Sequence, residues 1–123
     1  MKIYVGHSKK LNYMDELYKP IREIEKEGND KFYLPHEDSQ DHCNSREFYS
    51  DIDLFIAEVS YPATGLGIEL GIAYLDKVPM VCISKKGMKV GASLNFVTDK
   101  FYEYENNEEL KILVKRIVEE NRR

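Results

Sequence analysis

Asp51–Leu75 reads DIDLFIAEVSYPATGLGIELGIAYL, and its pattern changes character at Ser60–Gly65. Leu54–Val59 (LFIAEV) is nearly continuous in apolar residues. That is the signature of a parallel strand buried on both faces, not of a half-solvated strand, which would alternate. Ser60–Gly65 (SYPATG) carries turn residues. Leu66–Lys77 then predicts a helix, and Met80–Ile83 (MVCI) a second buried strand. Strand, helix and strand in this order form a right-handed βαβ unit, so the sheet is expected to be parallel.

The same alternation extends outward in both directions. Lys2–Gly6 (KIYVG) reads as a first strand and Lys31–Leu34 as a second, closed by Pro35. Leu11–Lys26 has helical spacing, with Leu17, Ile21 and Ile24 on one face, and Pro20 marks a kink or a helix start within it. Gly28-Asn29-Asp30 is a stop signal. His36–Cys43 is polar and loop-like, and Asn44 or Ser45 can cap a short helix reaching about Asp51. Lys85–Gly91 is a basic loop, Ala92–Thr98 one or two helical turns, and Phe101–Tyr104 a last strand. Asn107–Asn121 is an amphipathic helix with Leu110, Leu113, Ile117 and Val118 inward. The expectation is an α/β three-layer sandwich around a five-stranded parallel sheet. It is flavodoxin/Rossmann-like, with strand order 2-1-3-4-5, and binds its ligand at the switch point between strands 1 and 3.

Composition bounds what such a domain does. The chain has 123 residues, 14.4 kDa, 42% hydrophobic and 33% charged residues, which suits one domain with one core. A net charge of −4 argues against a non-specific binder of polymeric nucleic acid. No apolar run approaches the roughly 20 residues of a membrane span, and the N-terminus lacks the apolar block of a signal peptide. Cys43 and Cys82 are too few for a disulfide scaffold, so a soluble, cytoplasmic protein with free thiols is expected.

The chemistry concentrates at a few positions. Glu69 is the single charge in Leu66–Leu75, with apolar Ile72 and Ala73 one turn on. Either it satisfies backbone donors or a cation, or it is a reactive carboxylate facing the cleft. A helix start favours its ionised form, which suits a nucleophile. Gly65 and Gly67 permit close approach of backbone to a ligand. Glu58 is a charge within a buried strand, placed to orient a ligand hydroxyl or to satisfy the next turn. Gly6-His7-Ser8-Lys9-Lys10 can hold an anion through backbone N–H groups, the Ser8 hydroxyl and lysine charge. Neither a P-loop nor a GxGxxG element is present. His7, His36 and His42 lack zinc-site spacing, so neither metal nor cofactor is expected.

DIDLFIAEVSYP followed by TGLGIELGIAY resembles the signature of the nucleoside 2-deoxyribosyltransferase superfamily, in particular its 2′-deoxynucleoside 5′-phosphate N-hydrolase branch. The resemblance spans most of the chain as one domain, 1–123, and is strongest over Asp53–Ala73. It implies that Glu69 is the nucleophile that attacks the anomeric carbon, with Tyr4 as the family's strand-1 tyrosine. It implies substrate contacts from His7, Ser8 and Lys10, with His36 near the base. Ser93 in VGASLNF matches a serine given to the substrate phosphate across a dimer interface, which favours a nucleotide over a free nucleoside. Aligned on Asp53, Ser45 stands where the family has a second acid, with Asn44 and Glu47 as neighbouring substitutes.

The expected activity is therefore cleavage of the N-glycosidic bond of a nucleoside 5′-monophosphate, through a glycosyl-enzyme resolved by water or by a second base. The alternatives are a deoxyribosyltransferase, a nucleotide-sensing module without turnover, and an unrelated flavodoxin-like or receiver scaffold. The expected partners are a small nucleotide or nucleoside, with no membrane, and a second copy of the chain in a homodimer that shares its sites. Tyr13, Tyr18, Phe48 and Tyr49 are candidates for that interface or for the core.

Overall fold

The computed structural model describes residues 1–37 and 51–122. Five strands form one sheet: β1 (Lys2–His7), β2 (Lys31–Tyr33), β3 (Leu54–Glu58), β4 (Met80–Lys85) and β5 (Phe101–Tyr104), in the order β2-β1-β3-β4-β5. Every pairing is parallel. Helices α1 (Lys19–Glu25), α2 (Thr64–Leu75) and α3 (Asn107–Glu120) cover its faces. The α/β class and strand order expected from the sequence are the ones observed.

Two apolar cores lie against opposite faces of the sheet. Ile3, Val5, Leu54, Ile56, Val81 and Ile83 face one core, joined there by Ile21 of α1 and Leu110, Val114 and Ile117 of α3. Tyr4, Phe55, Ala57 and Cys82 face the other, joined by Leu66, Leu70 and Ala73 of α2. The alternation of the pleat thus divides each strand between the two layers. Among the described residues, no helix is long and apolar enough to cross a membrane.

Two features of the helices matter for the site. First, the helical stretch within Leu11–Lys26 is interrupted just ahead of Pro20, the position marked in the sequence for a kink or a helix start. Met14–Tyr18 forms a π-turn in which the Lys19 N–H donates to the Met14 carbonyl, and α1 begins only after it. Pro20 supplies the reason. It has no N–H to continue an α ladder, so it is tolerated only in the first turn of a helix, where that donor is not needed. Second, α2 starts at Thr64 rather than Leu66. Glu69 therefore sits in the second turn, where the field of the helix terminus has largely decayed.

β1 and β3 run side by side with Gly6 opposite Ala57 and His7 opposite Glu58. Beyond these residues the chain turns to opposite layers, into the π-turn and α1 after β1 and into α2 after β3. This is the topological switch point of the sheet.

Candidate active site

Tyr4 and Glu69 form the centre of the site. The Tyr4 hydroxyl donates to Glu69 Oε2 at 2.7 Å. Tyr4 is fully buried and its ring meets Phe55 edge-on, with centroids 4.9 Å apart, so the phenol has little freedom. Glu69 is half-buried, neither hidden behind the sheet nor turned into bulk solvent. With the helix terminus a turn away, the rigid phenol is one group placed to orient this carboxylate.

Gly6 earns its place by sterics. A Cβ there would lie 2.8 Å from Leu66 Cδ1 and 2.9 Å from the Phe55 ring. β1 therefore passes directly against the first turn of α2, which brings the Tyr4 strand and the Glu69 helix together. Gly65 and Gly67 differ: both are exposed, and a Cβ at either meets nothing within 4 Å. Among the described residues nothing stands against these two positions, which leaves room there for the approach of backbone to a ligand that the sequence suggests.

The loop after β1 is held from within. Ser8 is buried, and its Oγ accepts the Lys10 N–H at 3.1 Å, while the Lys10 side chain is exposed. His7 is 7% exposed, with Nδ1 2.9 Å from the Ser8 carbonyl and Nε2 2.6 Å from the Tyr18 hydroxyl. Tyr18 also accepts the His36 N–H at 3.0 Å, tying the loops after β1 and β2 together. Burial pushes the His7 imidazole down to about 4, so it is neutral near pH 7 and supplies no charge to an anion.

Ser93 lies in the short 3₁₀ segment Ala92–Phe96 and is exposed. It lines a cavity of about 180 Å³ with Lys89, Gly91, Tyr61 and the α2 residues Leu66 and Gly67. Among the described residues no side chain caps the N-terminus of α2, and its first turn carries no acid. One end of this cavity is thus a helix terminus suited to negative charge. Lys89, from the basic loop after β4, lines the same cavity.

Glu58 is 1% exposed and its carboxylate is engaged inside the protein. Oε1 accepts the Ser60 N–H at 2.8 Å, and Oε2 accepts the Ser60 hydroxyl at 2.8 Å and the Tyr104 hydroxyl. Ser60 Oγ in turn accepts the Lys85 N–H at 2.8 Å. Of its two sequence alternatives, Glu58 adopts the one that satisfies the following turn. Burial and the adjacent carboxylate push the Tyr104 phenol up, so it stays a donor.

Tyr18, expected on an interface or in the core, is in the core at 2% exposure, and Tyr13 is half-buried against it. Cys82 is a buried free thiol, pushed up by burial to about 12 and hence unreactive. Ser45, Glu47, Asn44, His42, Cys43, Phe48 and Tyr49 lie outside the described residues. Among the described residues, no three His, Cys, Asp or Glu side chains gather as a metal site would require.

Solved structures share this architecture. The structure of a CMP N-glycosidase from Clostridium botulinum matches 94% of this chain and 99% of its own, with a TM-score of 0.62 at 17% sequence identity. A conserved protein from Enterococcus faecalis V583 matches 95% of this chain and 98% of its own, with a TM-score of 0.61 at 18% identity. No family model matches the chain, and none of the curated proteins does. At such identities the likeness is one of fold, extending over nearly the whole length of each chain.

Proposed function

We propose that this protein cleaves the N-glycosidic bond of a nucleoside 5′-monophosphate, with Glu69 as nucleophile. One observation carries the reading: a half-exposed carboxylate fixed by a fully buried phenol, Tyr4, at the switch point of a parallel sheet. The sequence signature around Glu69 and a fold shared with a CMP N-glycosidase support it.

In this mechanism a Glu69 carboxylate oxygen attacks the sugar C1′ as the bond from C1′ to the base nitrogen breaks. The bonding pair leaves with the base, which takes up a proton. Water then adds its oxygen to C1′ as the bond from C1′ to the Glu69 oxygen breaks, its pair restoring the carboxylate; the proton that water gives up restores the group that protonated the base, and the sugar phosphate leaves. This is the double displacement of retaining glycosidases applied to an N-glycoside. By resemblance, the proton donor belongs to the segment containing Asn44, Ser45 and Glu47. The cavity with Lys89, Ser93 and the uncapped start of α2 supports a subsite for the phosphate. Transfer of the sugar to a second base uses the same first step.

The test is incubation of the purified protein with a panel of ribo- and deoxyribonucleoside monophosphates, following release of free base. Glu69→Gln is expected to lower the rate by at least about a thousandfold, the scale seen when a covalent nucleophile is lost. Base release by Glu69→Gln at the wild-type rate, or no release from any nucleotide by the wild type, overturns the proposal. We propose further that the chain works as a homodimer with shared sites. Exposed Ile68 and Leu75, seven residues apart on the helix that carries Glu69, and exposed Phe96 support this, as apolar side chains that a second copy would cover.

A further inference from the structure

The π-turn before α1 has a consequence for the site. Residues five apart in an α-helix lie about 140° apart around its axis. The wider i→i+5 bonding of a π-turn brings them nearer to one face. Tyr13 and Tyr18 are spaced in this way across Met14–Tyr18, and their ring centroids are 5.1 Å apart. Both meet His7, at 4.6 Å for Tyr13 and 5.2 Å for Tyr18. His36 completes the cluster, 5.4 Å from His7 and 5.7 Å from Tyr13.

The four rings divide into an inner and an outer pair. His7 and Tyr18 are buried and hydrogen-bonded to each other. Tyr13 and His36 are half-exposed. Tyr13 lies over His7 with their planes only 30° apart, a tilted stack with a firm backing. The cluster stands at the carboxyl end of β1. Its anchor, His7, is three residues along the strand from Tyr4, or about 10 Å. β1 directs Tyr4 to the α2 layer and His7 to the α1 layer, so the carboxylate partner of Tyr4 and the ring cluster flank the end of the same strand from its two faces.

We propose that Tyr13 holds the leaving base, its half-exposed ring stacking on the planar heterocycle while His7 and Tyr18 fix it from behind. The inference rests on the nucleotide-cleaving function proposed above and adds to it a residue that recognises the base. Stacking is tolerant of base identity, because every base has a π-face. Tyr13 thus selects for the presence of a base, and other groups select which one.

Calorimetric titration in a Glu69→Gln background, where turnover does not interfere, tests this. The probes are CMP, GMP and ribose 5-phosphate, which lacks a base. Tyr13→Leu keeps apolar bulk and removes the π-face. It is expected to weaken CMP and GMP binding about tenfold and ribose 5-phosphate binding less than twofold. Tyr13→Phe is expected to bind all three like the parent. Unchanged nucleotide affinity in Tyr13→Leu overturns the role of Tyr13 alone, as does an equal loss for ribose 5-phosphate, which signals a merely structural part. No nucleotide binding by the parent overturns the functional reading and this inference with it.

Discussion

Tyr4 and Glu69 show how one hydrogen bond divides labour between a rigid strand and an exposed helix. The phenol is locked in the core, so its 2.7 Å contact holds one carboxylate oxygen, and in the proposed mechanism that contact aims the nucleophile. Tyr4→Phe retains the edge-on contact with Phe55 and removes only the hydroxyl. A hydrogen bond to a charged group contributes about 1.5–3 kcal/mol, so base release is expected to slow about ten- to a hundredfold. Thermal unfolding is expected to change little. Initial rates with the best nucleotide check this, and an unchanged rate would mean that another group aims Glu69. Glu69 was legible in the sequence because a lone charge in an apolar helix needs a reason. Its orienting group was legible only by resemblance, since Tyr4 alone reads as an ordinary strand aromatic. Glu58 stood out for the same reason as Glu69, yet its partner Tyr104 lies 46 residues away, a distance that no local pattern spans. The clustering of Tyr13 and Tyr18 was illegible because five-residue spacing fits neither the helical nor the strand period.

At the scale of elements, the strands were the readable part. Burial on both faces forces continuous apolar runs in β3 and β4, and few other structures tolerate those. Helix starts were harder to place. α2 begins two residues early because Ala63 occupies its N-cap with no side-chain signal, and Thr64-Gly65 reads as a turn. The outer face of α2 follows from the same composition. Ile68 and Leu75, seven residues apart and so on one stripe, are 60% and 66% exposed. In the proposed homodimer a stripe of that kind, on the helix that carries Glu69, would couple association to the site. In light scattering the wild type is expected at about twice 14.4 kDa. Ile68→Glu is expected to run as the 14.4 kDa chain. Its unfolding midpoint at low protein concentration should barely move, because the replaced side chain already faces outward. A wild-type particle of the single-chain mass across the working range would remove the dimer from the proposal.

For the whole molecule, topology was legible because alternating strands and helices leave few handed solutions, whereas the tie between distant parts of the chain was not. Asp30, in the turn before β2, receives Arg122 Nη2 at 2.8 Å and Nη1 at 3.1 Å, and the Met1 ammonium at 2.9 Å. It thereby ties the end of α3 to the amino ends of β1 and β2, at the end of the sheet away from the site. The Arg122 guanidinium above all, with the amino terminus, holds the Asp30 carboxyl down to about 2, against the opposing effect of burial. A carboxyl whose folded value lies below its unfolded 3.8 contributes stability that is complete above pH 3.8 and lost as pH falls towards 2. Asp30 is 15% exposed but Arg122 is 42% exposed, so solvent screening reduces the contribution to about 1–2 kcal/mol. His7 adds a second acid-sensitive contribution in a different window. Its folded value of about 4 lies below the unfolded 6.5, so the unfolded chain binds the extra proton and stability falls as pH drops from 6.5 to 4. The two windows separate the causes. Urea unfolding of Asp30→Asn and wild type is expected to show a constant gap of about 1–2 kcal/mol from pH 7 to 4.5, although both lose stability through His7 over that range. Below pH 4 the gap should narrow as the wild-type carboxyl takes up its proton. A gap that stays constant down to pH 3 would show that Asp30 acts through packing rather than through its charge.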